Sequence, residues 1–167
     1  MRKTNASVKA LRAFAREKTI PKKHVERHFR QILGTNDRLV AIVMASALEH
    51  TLETLLEASM PKGSDGLFEV NQPLQAFSSK IRLAYSLGLI GADIRQNLDY
   101  IREIRNAFAH HIGPITFATP EVKAVCKLLI VAPNVRPTAV KSSLMWFRLA
   151  CGATGRTMAE HSGVGTT

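Results

Sequence analysis

The sequence predicts an all-α fold, an antiparallel bundle of about five to seven helices, because apolar residues recur at helical spacing along most of the chain. Two further observations support it. Glycine and proline fall between the periodic segments rather than inside them, and no stretch alternates apolar and polar residues over a useful strand length. Hydrophobic residues make up 46% of the 167 positions, enough for one core in a chain of this size.

The elements follow in order. A basic helix over 7–16 turns Val8, Leu11, Phe14 and Ala15 to one side. After Pro21, a second over 22–33 presents Val25, Phe29, Ile32 and Leu33 and stops at Gly34. Thr35, Asn36 and Asp37 are cap candidates for a long helix over 37–59. Its apolar stripe holds Leu39, Val40, Val43, Met44, Ala47, Leu48, Leu52, Leu55 and Leu56, with Glu49, His50, Glu53 and Glu57 on the other side. The turn residues at 61–66 predict a loop.

A helix over 74–87 directs Leu74, Phe77, Ile81, Ala84 and Tyr85 inward. Ser78 and Ser79, beside Lys80, have no glycine-rich loop around them and read as helix surface. Gly88 and Gly91 mark a tight corner. The next helix, over 92–111, carries Ile94, Leu98, Ile101, Ile104, Phe108 and Ile112, and Gly113-Pro114 stops it. Thr119-Pro120-Glu121 opens a helix over 120–131, with a hydroxyl cap, proline at the first position and an acid at the positive dipole end. A last helix is expected over 138–152, its continuation to His161 opposed by Gly152 and Gly155. Segments 67–70 and 115–117 are candidates for minor strands. The resulting organisation is a basic arm over 1–33, a bundle over 34–161 and a disordered tail over 162–167.

Charge is concentrated at one end. Arg2, Lys3, Lys9, Arg12, Arg16, Lys18, Lys22, Lys23, Arg27 and Arg30, against Glu17 and Glu26, put +8 of the formal +10 on residues 1–33. A basic arm on a near-neutral domain predicts contact with phosphate backbones or an acidic surface. A solvated end or an import segment is the plainer reading of the same charge. Cys126 and Cys151 form no spacing motif, so no disulfide framework is expected and a reducing cytoplasm is the simpler setting. The longest nearly unbroken apolar run, 39–48, is about half of what a bilayer span requires, and no membrane helix is expected. His24 and His28 stand four apart among cations, with no carboxylate or cysteine cluster, so neither metal nor cofactor is expected. Leu144, Met145, Trp146 and Phe147 exceed one buried helix face, which suits core packing and a homodimer interface alike.

Chemistry concentrates at the end of the 92–111 helix. Asn106 and His110 are four apart on one face, and Asp99 and Arg102 extend that polar stripe. Arg105 lines up with Ile101 and Phe108, so its stem lies at a packed interface and its guanidinium needs an anion from a second helix, a symmetry mate or a phosphate. The acidic stripe of Glu49, Glu53 and Glu57 reads as a solvated face or as partners for Arg102 or Arg105. Arginine to neutralise a phosphate and histidine to move a proton suffice for metal-free RNA cleavage by the 2′-hydroxyl, with Asn106 supporting. A structural reading is equally open, since a helix ending in two histidines is often only completing its last carbonyls.

The segments FSSKIRLAYSLGLI (77–90), IREIRNAFAH (101–110) and FATPEVKAVCKLL (117–129), with ALEHTLETLL (47–56), resemble the mannitol operon repressor family over roughly residues 36–150. That resemblance implies a helical transcription regulator. The RNxxxH block is also similar to the wider HEPN superfamily of helical bundles, many of them dimeric, metal-independent ribonucleases. It implies Arg105 and His110 as the catalytic pair, Asn106 in support and Glu49 as an acid on the opposing helix. Ile112 stands where some toxin members carry the tyrosine of an HxY variant. The arm at 1–33 lies outside the resemblance. Three functions follow as expectations: a regulator acting through nucleic acid or a transcription-complex protein, a ribonuclease, and a protein-interaction module.

Overall fold

The computed structural model describes residues 36–64, 66–131 and 142–161, and within them the fold is all-α. Five helices follow one another: α1 (Asp37–Ala58), α2 (Phe77–Ser86), α3 (Ala92–His110), α4 (Pro120–Cys126) and α5 (Ser143–His161). The helices expected at 7–16 and 22–33, the basic arm and the 162–167 tail lie outside the described residues.

α1 packs on α2, α3 and α5, and α4 bridges α3 and α5. Arg38 at the start of α1 reaches carbonyls at the end of α3, so these helices run antiparallel. Asn97, early in α3, meets Thr154, late in α5, which makes that pair antiparallel too. The core is the merged apolar face of the bundle, with Leu48, Leu52, Leu55 and Leu56 of α1 against Ile81, Leu98, Ile101, Ile104 and Phe147. Phe108, Phe117 and Phe147 stack in a tilted row with centroids 4.9 and 5.0 Å apart, joining α3, the following loop and α5. By length and composition alone α1 would cross a membrane. Here seven of its residues are buried in the bundle, and it carries two carboxylates that are ion-paired to α2.

Several boundaries differ from expectation, each for a visible reason. α2 begins at Phe77 rather than 74, because Leu74 is buried in a turn that donates its N–H to the Leu67 carbonyl. The candidate strands at 67–70 and 115–117 are turns and loop, and no strand occurs among the described residues. At 117 the backbone N–H donates to Asp37 Oδ2 at 2.8 Å, so the expected cap residue pins a distant loop.

α4 ends at Cys126 instead of 131. Asn97 Oδ1 accepts from the Ile130 N–H, and its Nδ2 donates to the Ile130 carbonyl, both at 2.8 Å. Trp146 Nε1 donates to the Leu129 carbonyl. These groups are thereby removed from a helical ladder. α5 continues through Gly152 and Gly155 to His161, because a Cβ at Gly155 would stand 3.2 Å from Leu48, where α5 crosses α1 closely. Of its expected stretch, 138–141 lies outside the described residues. Leu39, Tyr85 and Ile112, expected inward, are exposed. Tyr85 instead lies under the Arg95 guanidinium, 4.4 Å from its centroid. Met145 is exposed, whereas Phe147 is fully buried.

The corner after α2 is a Schellman closure. Leu89 donates to the Ala84 carbonyl and Gly88 to that of Tyr85, with Gly88 at φ 72°. An L-residue pays about 1–2 kcal/mol in that conformation, so Gly88→Ala is expected to lower unfolding free energy by about that much. Gly152→Ala, whose Cβ meets nothing nearer than Arg156 at 3.5 Å, is expected to raise it by about 0.5–1 kcal/mol. Denaturant titration of the two variants checks both signs.

Both cysteines are buried free thiols. Burial pushes the Cys126 thiol from 9.0 up to about 12, and burial with the nearby Cys126 raises that of Cys151 further. An unfolded thiol therefore ionises first. Stability from this source is intact below about pH 9 and falls as pH rises towards 12. The expected outcome is an alkaline loss of stability that Cys126→Ala with Cys151→Ala reduces, and no labelling of the native protein by a thiol reagent at pH 8.

Candidate functional site

A buried charge organises the site. Lys80 on α2 leaves only 5% of its side chain exposed, and its Nζ lies 3.0 Å from Glu49 Oε1 and 2.8 Å from Glu53 Oε2. Glu49 and Glu53 are one turn apart on α1, so both carboxylates reach the same ammonium. The Phe68 ring lies 5.8 Å from the same nitrogen. This corrects one expectation: the acidic stripe is not a solvated face at these two positions.

Arg105 joins the cluster from α3. Its Nη2 contacts Glu49 Oε2 at 3.4 Å, and its Nη1 donates to Asn106 Oδ1 at 3.1 Å. Its side chain is 30% exposed and that of Glu49 18%. Five side chains on three helices therefore form a chain of contacts, Glu53–Lys80–Glu49–Arg105–Asn106, with two formal positive and two formal negative charges. A carboxylate on a neighbouring helix is the anion that the buried stem of Arg105 requires. Arg102 does not take part; it pairs with Glu103 and approaches Asp99 on its own helix.

His110 stands apart from this cluster. Successive residues turn about 100° around a helix, so five positions separate Arg105 and His110 by about 140°. His110 is exposed and borders a cleft of about 630 Å³ between the end of α3, the 111–119 loop and α4. Glu103, His111, Ile115, Glu121 and Val125 also line it. Within one chain, Asn106 is brought to Arg105, and His110 is not. Of the expected phosphate contacts, Arg2, Lys3, Lys9, Arg12, Arg16, Lys22, Lys23, Arg27 and Arg30 lie outside the described residues, as do His24 and His28, and Arg102 lies on α3 beside Glu103. Among the described residues no group of three or more His, Cys, Asp or Glu side chains is placed to hold a metal.

Sequence reasoning missed Lys80, Arg38 and Asn97. Arg38 donates to the carbonyls of Phe108, His111 and Gly113, closing the end of α3 that a glycine cap would otherwise close. A lone arginine at the start of α1 carried no signal for that role, because its partners are some seventy residues away. Lys80 was detectable in principle: it falls between Phe77, Ile81 and Ala84 on the face α2 buries.

No family model matches the chain, and no curated protein or solved structure matches it either.

Removing the Arg38 guanidinium strips several carbonyls of a charged donor. Arg38→Ala is expected to lower stability by about 1–3 kcal/mol and to speed amide exchange selectively at 107–113. Unchanged exchange there would show that α3 closes without it.

Proposed function

We propose that this chain is a homodimeric, cytoplasmic transcription regulator of the mannitol-repressor type, acting through nucleic acid or through a protein of the transcription complex. The observation that carries this reading is the engagement of Arg105 by Glu49 and Asn106, with His110 turned well away on the same helix. A phosphate held at Arg105 within one chain has its nearest helical histidine about 140° round α3, which favours binding over cutting. The arm over 1–33, with +8 of the formal charge, supports phosphate contact, and its effect should fall steeply with salt because releasing counterions into a more concentrated bulk gains less entropy.

The ribonuclease reading keeps one specific support. Arg105, Asn106 and His110 all lie in the last two turns of α3. Two copies packed through that end would bring the arginine of one to the histidine of the other. Arg105 would then neutralise the phosphate while His110 takes the 2′-hydroxyl proton and returns it to the leaving 5′-oxygen, giving a cyclic phosphate and a 5′-hydroxyl.

Incubation of the purified protein in EDTA with total RNA and defined single-stranded RNA, beside Arg105→Ala and His110→Ala, separates the two. The expected result is binding without cleavage. Binding should fall when residues 1–33 are removed. Cleavage that both variants abolish would make the protein an enzyme and overturn the regulator reading. Binding to neither DNA nor RNA would leave a protein-interaction module.

A further inference from the structure

We propose that Lys80 is a positioning residue that keeps Arg105 open to a single phosphate group, by holding Glu49 away from full engagement with it. The inference rests on the reading that the chain acts through nucleic acid, and goes further by naming the charge that sets the affinity.

The contact lengths carry it. Lys80 meets two carboxylates at 2.8 and 3.0 Å, whereas Arg105 meets one, at 3.4 Å. Lys80 is also the more deeply buried cation, with 5% of its side chain exposed against 30% for Arg105. Coulomb attraction strengthens as water is excluded, so the carboxylates of Glu49 and Glu53 are drawn first to Lys80. Glu49 then shares its charge between two cations, through Oε1 with Lys80 and through Oε2 with Arg105.

Arg105 is therefore held in place yet only partly neutralised, and nearly a third of it faces water. Asn106 adds a second donor. Its Oδ1 is occupied by Arg105 Nη1, which leaves the amide nitrogen facing away from that bond and donating to nothing among the described residues. A guanidinium bonds phosphate oxygens through paired N–H donors, and the amide N–H beside it adds a further donor. The other cations on this stretch of α3, Arg95 and Arg102, lie near acids on their own helix.

Opposite signs follow for the two partners of one ion pair. Without the Lys80 charge, Glu49 and Glu53 turn their whole charge on Arg105 and exclude an anion. Without the Glu49 charge, Arg105 loses its competitor and binds phosphate more tightly. A merely structural role for the cluster would weaken binding in both cases.

The test titrates the full chain with inorganic phosphate and then with a short oligouridylate, following the Asn106 side-chain amide and Arg105 Nε–H resonances by NMR. Thermal melting checks the fold of each variant. In the wild type both resonances should move, and in Arg105→Ala the Asn106 response should vanish. Glu49→Gln should bind about tenfold more tightly and Lys80→Met about tenfold more weakly, each about 1.4 kcal/mol. Lys80→Arg should resemble the wild type, and Lys80→Met with Glu49→Gln should return to within about threefold of it. If Lys80→Met does not fold, the sign of the Glu49→Gln change decides. Weaker binding by Glu49→Gln overturns the proposal. So does an Asn106 amide indifferent to phosphate while the chain still binds oligouridylate, an outcome that leaves the nucleic-acid reading standing on the arm. Binding to neither probe overturns the proposal, and the nucleic-acid reading falls with it if duplex DNA is not bound either.

Discussion

A lysine ammonium inside a helical bundle has to be matched by negative charge, and that requirement shapes the centre of this molecule. Lys80 reaches the core on α2, and Glu49 and Glu53 meet it from successive turns of α1. Two carboxylates around one cation leave a negative surplus, which Arg105 of α3 answers. Three helices are thus registered against each other by charge as well as by apolar packing. Breaking such a cluster by removing one member strands a charge away from water, and costs far more than any surface pair.

The rest of the fold places the ends of this cluster. Arg38 closes the last turn of α3, and Asp37, its neighbour, holds the loop that leaves it. The start of α1 therefore fixes where Asn106 and His110 stand. The row of Phe108, Phe117 and Phe147 fills the space beneath that loop. At the opposite end, Asn97 satisfies both backbone groups of Ile130 and one hydroxyl of Thr154. Side-chain polar groups, half-buried at one end and buried at the other, thus bind irregular backbone to regular helix and satisfy its polar atoms.

Local pattern carried most of the helical architecture. The apolar recurrence in α1 and α3, the Gly88 corner and the Thr119-Pro120 start could be read directly, because each expresses an interaction within a few residues. Errors fell where a distant partner outweighed local preference. Asn97 ended α4 early, Arg38 left Ile112 in solvent beyond the end of α3, and the close approach of Leu48 favoured a helix through Gly155 despite its propensity.

Among the described residues the sequence by itself determined the five helices, most of their buried faces and the cluster of polar residues at the end of α3, since these depend on spacing along one chain. Only the tertiary structure decided which charges meet. Lys80 and Arg105 share Glu49 because α1, α2 and α3 converge there. Ion pairing depends on distance and burial across helices, and residue order encodes neither of them locally.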